Sequence, residues 1–297
     1  MGGRKMKQQT GLSDKTILFL GAGSMAEAII RGLVHQQAET AKRITVTNRS
    51  NKERLEGLAQ TYGVQTEQDP DRIRDLAAQS DLIVLAMKPA DAPAALLAYR
   101  GLLTDKQLIV SVIAGLSIEV IRSLLGHDQL PVARTMPNTS SSIGLGMTGI
   151  SFSEEMPETL KQLTMDMFQS VGETVLTNED NLHTLTGISG SGPAYVYYFV
   201  EALVAGGIRG GLNAEDAKAL AVSTLIGAAA MMKQTGEDPA ELRRKVTSPN
   251  GTTQAAIEML DRYSFKDAVE EAVLRCAERS REIAGTIDSN ARNLLNP

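Results

Sequence analysis

The sequence predicts an α/β domain built on a parallel sheet, followed by an all-α domain. Three observations predict it. Short apolar runs that read as buried on both faces alternate with helical stretches through the first half. A glycine-rich turn, Gly21-Ala22-Gly23-Ser24-Met25-Ala26, follows the first such run. After about residue 180 the strand-like runs stop and only helical patterns remain. Strands that are apolar on both faces belong to parallel sheets covered by helices on either side.

Residues 16–20 read as the first buried strand, 25–33 as a helix, 43–47 as the second strand and 51–61 as a helix. Residues 81–86, 107–112 and 130–134 are further apolar runs of strand length. A Gly-rich stretch at 143–152 and the run 171–177 add two more strands around a helix at 155–169. This gives a first domain at 14–180. Residues 193–208, 214–234, 239–246, 252–261 and 266–295 fit helices and give a second domain at 181–297. Small residues are dense there, among them Ala202, Ala205, Gly206, Gly207, Gly210, Gly211 and Gly227 to Ala230. They suit close helix packing. Helices without a sheet make a thin core, so interlocking with a second subunit is the reading preferred over packing within one chain.

The 297 residues suffice for two domains with real cores, and a hydrophobic content of 42% is that of a globular chain. A net charge of -5, with no Lys/Arg cluster on an expected surface helix, argues against nucleic acid as a partner. The basic start (Arg4, Lys5, Lys7) has no apolar run behind it and reads as a tail rather than a signal, with Met6 an alternative start. The apolar stretch 219–232 is too short to span a bilayer. The single cysteine, Cys276, excludes an internal disulfide and fits a cytoplasmic setting; it falls mid-helix and reads as packing. The three histidines are scattered and no set has metal-ligand spacing, so no metal is expected; His183 reads as surface. The cluster Tyr195, Tyr197, Tyr198 and Phe199 reads as core or dimer contact.

The turn at Gly21, Ala22, Gly23, Ser24 and Met25, in its strand–turn–helix setting, marks a Rossmann-type dinucleotide site. Gly21 permits the tight turn, Gly23 lets a pyrophosphate approach the backbone, and Ala26 keeps the helix near the sheet. At the end of the second strand stand Asn48-Arg49-Ser50, with none of the acids that bind the ribose of NAD. Arg49 can pair with a 2′-phosphate and Ser50 can donate to it, which favours NADP(H) over NAD(H). Ala86-Met87-Lys88-Pro89 ends another strand, and Pro89 stops its pairing. Lys88 there suits the cofactor ribose or phosphate. Ala114 and Gly115 close the next strand, and Asn138 and Thr139 another, where Asn138 can support the nicotinamide amide. Each loop alone is a plain turn; together at one edge they mark a binding crevice.

Between the halves, Ser189-Gly190-Ser191-Gly192-Pro193 reads as a flexible turn with Pro193 at a first helical position. Farther on, Thr247-Ser248-Pro249-Asn250-Gly251-Thr252-Thr253 runs straight into a helical pattern. Free N–H groups and hydroxyls at the positive end of a helix suit a small anion. Capping alone would explain one hydroxyl there, not three.

With these motifs in this order, the chain resembles the pyrroline-5-carboxylate reductases, from about residue 17 to 284. The family usually has Gly-Gly where this chain has Asn250-Gly251; Asn is the non-glycine residue that best tolerates positive φ. The resemblance implies a Rossmann domain, an all-helical dimerisation domain, often a ring of dimers (a homodecamer), and NAD(P)H-dependent reduction of 1-pyrroline-5-carboxylate to L-proline, the last step of proline biosynthesis. On this reading the N–H groups of Asn250, Gly251 and Thr252, with Ser248, hold the substrate carboxylate. Thr253 faces the imine nitrogen, with Ser248 the second catalytic hydroxyl. Glu179 borders the substrate by its family position, or is a surface acid. An iminium takes hydride and leaves a neutral amine, so no strong acid is needed. A 3-hydroxyacid dehydrogenase would need a lysine at 193–208, and none occurs there. A reductase of a different cyclic imine acid, and a non-catalytic NADP-binding homologue, stay open at this stage.

Overall fold

The computed structural model describes residues 11–296. The basic start at Arg4, Lys5 and Lys7, and the alternative start at Met6, lie outside the described residues. Two compact units form. One runs up to Gly190 and resumes at Cys276; the other is Ser191–Arg275.

The first unit holds one eight-stranded sheet. Its strands are β1 (Ile17–Leu20), β2 (Ile44–Thr47), β3 (Gln65–Glu67), β4 (Leu82–Leu85), β5 (Leu108–Ser111), β6 (Val132–Met136), β7 (Gly146–Phe152) and β8 (Gly172–Leu176). Their order is β3-β2-β1-β4-β5-β6-β7-β8. The helices are α1 (Ser24–Gln36), α2 (Lys52–Tyr62), α3 (Pro70–Gln79), α4 (Ala92–Leu97), α5 (Ile118–Leu125), α6 (Glu158–Gln169) and α7 (Asn181–Leu185). β1 to β6 run parallel to one another, as expected. The strand expected at 143–152 appears as β7, antiparallel to β6 and parallel to β8. The link from β6 to β7 holds only a short 3-10 turn, and without a crossover helix the chain has to return antiparallel.

Residues of β1, β2, β4 and β5 are buried on both faces. Ile17 and Phe19 face one layer, with Ile29 and Ile30 of α1, Leu55 of α2 and Phe168 of α6. Leu18 and Leu20 face the other, with Ile73 of α3, Leu96 of α4 and Ile121 of α5. The period-two alternation of a strand thus fills both layers from one short run. The edge strand β3 is polar and largely exposed and carries no apolar run to announce it. α3, also absent from the sequence reading, is opened by Pro70, and the Asp69 side chain accepts from Arg72 N–H.

The second unit contains α8 (Gly192–Arg209), α9 (Ala214–Thr235), α10 (Pro239–Lys245), α11 (Thr252–Arg262) and the start of α12 (Phe265–Leu295). Asn213 caps α9 and Asp238 caps α10 through their side-chain oxygens. Gly207 lets α8 approach α9, since a Cβ there would lie 3.1 Å from that of Ala217. The rings of Phe199 and Phe265 lie 5.9 Å apart. Beyond such contacts little is covered: no residue of α8, α10 or α11 is buried in the single chain. Tyr198 is 77% exposed and Ile226 65%. The tyrosine cluster is therefore no core within one chain.

α12 leaves the second unit and ends in the first, where Ile287 and Ala291 join the core layer of α3, α4 and α5. Two further expectations are corrected. Residues 186–190 form one π-helical turn rather than a flexible one. Thr186 Oγ1 donates to Leu182 O and Ser189 Oγ to Leu185 O, so the hydroxyls hold the turn. His183 is buried rather than at the surface; its Nδ1 lies 2.8 Å from Ser280 Oγ of α12. Among the described residues no helix is long and apolar enough to cross a membrane.

Candidate functional site

The sheet order brings five predicted loops to one edge. The carboxyl ends of β2, β1, β4, β5 and β6 are neighbours, so residues 21–25, 48–50, 86–89, 114–115 and 137–138 share it. β1 lies between β2 and β4, the point where strand order reverses and ligands bind in such sheets.

The two glycines of the turn differ in what they answer to. Gly21 has φ +120, and a Cβ there would collide with Ala86 O; the fold itself requires glycine. Gly23, with φ -72, precedes α1, and a Cβ there meets only Ala86 O at 3.9 Å. Nothing inside the chain demands glycine at 23, and α1 gets no side-chain cap. Open backbone before a helix's free N–H groups fits a pyrophosphate. Behind the turn, Arg54 Nε donates to Ala22 O at 2.9 Å and its guanidinium pairs with Glu27 at 2.5 Å. Arg54, with help from Tyr62, holds the Glu27 carboxyl below the usual carboxylate range. Arg54 escaped the sequence reading because nothing in the pattern of α2 links it to a turn thirty-odd residues earlier.

At the end of β2, Asn48 Oδ1 accepts from the N–H groups of Ser50 and Asn51. This Asx-type turn is built by the Asn48 side chain, which is thereby used inside the chain. Arg49 and Ser50 project as exposed residues, and Arg49 has no ion pair among the described residues. Lys88, also exposed, precedes the 3-10 turn begun by Pro89. Gly115, at φ +79, has Ile287 Cδ1 3.1 Å and Ala284 3.3 Å from its would-be Cβ, so α12 also needs this glycine. Asn138 donates Nδ2–H to Ser189 O and accepts at Oδ1 from Met147 N–H. Its amide thus ties β7 to the π-helical turn rather than projecting free toward a nicotinamide.

Glu179 is likewise committed. Its Oε1 accepts from Arg134 at 2.9 Å and from Ile118 N–H at 2.9 Å. The Arg134 side chain is only 7% exposed. A buried cation needs a partner, and Glu179 supplies it while also accepting a first-turn donor of α5. It sits on the rim of an open cavity of about 760 Å³ together with Arg122, Asp128 and Lys161, all within the first unit.

In the second unit the loop before α11 has a defined shape. Asn250 stands at φ +59, the left-handed region, so the asparagine keeps the turn a glycine would make. Gly251 is needed in turn: a Cβ there would lie 2.5 Å from Ser248 Oγ. Of the amides expected to hold a carboxylate, two are taken. Gly251 N–H donates to Ser248 O at 3.0 Å and Asn250 N–H to Gln254 Oε1 at 2.8 Å. The first-turn amides of Thr252 and Thr253 remain, since these positions have no intrahelical acceptor and the cap, Gly251, has no side chain. Ser248 and Thr252 are exposed and Thr253 half-buried. Thr247 Oγ1 donates to Arg243 O, so that hydroxyl closes α10. Among the described residues no group of His, Cys, Asp and Glu side chains suited to a metal comes together.

Comparison with known proteins agrees with this arrangement. A domain described as "Pyrroline-5-carboxylate reductase dimerisation" matches residues 179–283, and one described as "NADP oxidoreductase coenzyme F420-dependent" matches residues 16–115. Pyrroline-5-carboxylate reductase 1 of Bacillus subtilis is 40% identical over 294 residues, covering 98% of this chain and 97% of that protein. A solved pyrroline-5-carboxylate reductase from Coxiella burnetii superposes with a TM-score of 0.83 at 34% identity, covering 91% of this chain and 98% of the other. The Plasmodium falciparum pyrroline carboxylate reductase, solved with NADP bound, gives 0.81 at 27% identity, covering 92% and 100%.

Proposed function

The chain belongs to the pyrroline-5-carboxylate reductase family, and we propose that it reduces 1-pyrroline-5-carboxylate to L-proline with NADPH as the preferred donor. Within that reaction the chain's own residues have separable tasks. The backbone at Gly23 and the start of α1 hold the pyrophosphate. Arg49, exposed and without an ion pair among the described residues, and Ser50 take the 2′-phosphate; the Asn48 turn that presents them carries the preference for NADP(H) over NAD(H). Lys88 faces the ribose or phosphate. A nicotinamide bound at this edge supplies the hydride.

The substrate carboxylate is held by the first-turn amides of α11 at Thr252 and Thr253 and by the Ser248 hydroxyl. Thr253 also hydrogen-bonds the ring nitrogen. Hydride adds to the imine carbon, the C=N π pair moves to nitrogen, and the iminium becomes a neutral amine. The step therefore needs positioning more than acid catalysis. Asn250 shapes the loop, and Glu179 holds Arg134 rather than substrate. The helical unit pairs two chains, as its match to a dimerisation domain supports. A ring of such dimers and a reducing, cytoplasmic setting complete the reading.

The observation that carries the assignment is the loop before α11, with its left-handed Asn250, packed Gly251 and unfilled first-turn amides. The test is oxidation of NADPH and NADH followed in the presence of 1-pyrroline-5-carboxylate. Turnover is expected with both and at lower KM with NADPH. Arg49→Ala should raise KM for NADPH about tenfold or more and leave that for NADH nearly unchanged, the effect of one charge-assisted contact. No turnover with either donor would sink the proposal.

A further inference from the structure

Gln254 lies outside every role assigned so far, yet both ends of its side chain are held. Its Oε1 accepts from Asn250 N–H at 2.8 Å, and its Nε2 donates to Glu258 Oε1 at 2.7 Å. The amide orientation is dictated at both ends: a backbone N–H needs an acceptor, and an ionised carboxylate needs a donor. Gln254 is the third helical residue of α11, where a Gln or Glu often reaches back to the cap amide. Here the cap amide, Gly251 N–H, is already closed on Ser248 O. The side chain reaches one residue farther, to Asn250, which sits at φ +59.

That residue needs help. A non-glycine residue in the left-handed region is strained, by about 1 kcal/mol or more. Its N–H, pointing from an exposed turn, would otherwise leave the turn free to relax. We propose that Gln254, oriented by Glu258, is a positioning residue: it clamps Asn250 in the left-handed turn and so fixes the Ser248 hydroxyl and the first-turn amides where the substrate carboxylate binds. This rests on the assignment of the loop as the carboxylate site. It also takes Asn250 N–H out of the set of substrate donors.

The test compares the full-length protein with Gln254→Ala, Asn250→Gly and the double variant. Gln254→Ala is expected to raise KM for 1-pyrroline-5-carboxylate about threefold to tenfold, the effect of one neutral hydrogen bond. kcat should change less, and KM for NADPH should not move. Glycine takes the left-handed turn unaided, so Asn250→Gly in the Gln254→Ala background should restore most of the lost KM. Glu258→Ala should shift KM in the same direction by less. An unchanged KM in Gln254→Ala, or a double variant as impaired as Gln254→Ala, overturns the clamp while leaving the reductase assignment intact. Absence of turnover in the unaltered protein overturns the assignment instead. The clamp is then read by hydrogen exchange at the Asn250 amide, protected in the unaltered protein and unprotected in Gln254→Ala; equal exchange in both overturns it.

Discussion

Arg134 and Glu179 meet at 2.9 Å with the arginine almost wholly buried, and this pair shows how a single contact decides a residue's task. Removing the charge of Glu179 leaves a buried guanidinium without its counterion. Glu179→Gln should therefore destabilise the protein by about 2–4 kcal/mol, measured by denaturant unfolding, with KM for substrate unchanged. A raised KM at full stability would return Glu179 to the substrate. His183 is a second buried group with a measurable consequence. Desolvation first, and the nearby Arg134 and Arg281 next, push its pKa below the ordinary 6.5, against the opposing pull of Asp180 and Glu179. The folded state then refuses a proton that the unfolded state takes up. Stability should be complete above pH 6.5 and fall as the pH drops below it toward the folded pKa. In His183→Gln, which retains a partner for Ser280, that loss should be reduced; an unchanged slope would show that the imidazole is not its source. Neither residue's surroundings could be read from the chain, because burial of a lone His or Glu depends on elements far away in sequence.

At the scale of elements, most of the fold was legible. The runs that became β1, β2, β4 and β5 are apolar on both faces, and only a covered parallel sheet satisfies them. The helices after residue 190 fall within a few residues of their expected bounds, since Asn213, Pro239 and the Gly251-Thr252 junction mark their starts. What failed did so for identifiable reasons. β3 is polar and at an edge; the Ser-Gly run became a π-turn through hydroxyl-to-carbonyl bonds that its composition does not announce. The site loops were legible as loops, but the internal use of Asn138 was not, because its partner Ser189 is brought to it by tertiary structure; the bonds of Asn48 and of Asn250 N–H are local and depend on which of several turn geometries the backbone takes. α12 carries the prediction at this scale. Ile287 is buried against the α3–α4–α5 layer and touches the space over Gly115. Ile287→Ala should destabilise the first unit by about 2–4 kcal/mol and weaken NADPH binding with it, as read by thermal melts with and without cofactor.

For the whole molecule, the decisive quantity is apolar surface left uncovered by one chain. Leu220, Ile226 and Met231 along α9, with Tyr197 and Tyr198 on α8, are all more than half exposed. Monomeric proteins seldom show so much on one unit, and the match of this segment to a dimerisation domain supports a second subunit as its cover. Leu220→Asp combined with Ile226→Asp should halve the mass found by light scattering after size exclusion. A retained dimer would place the interface elsewhere on the helical unit.

The path of α12 also sets the order in which this protein can be made. The layer that Ile287 and Ala291 complete belongs to the nucleotide unit, whose other residues precede Gly190. A nascent chain on the ribosome has synthesised every strand of the sheet well before these side chains exist. Its first unit therefore waits with part of one core face open to water until the whole of Ser191–Arg275 and the first part of α12 have been made. Folding of the unit that comes first in the chain is thus completed by residues made only after the intervening helical segment, and a chain interrupted before α12 holds an exposed apolar face of the kind chaperones recognise.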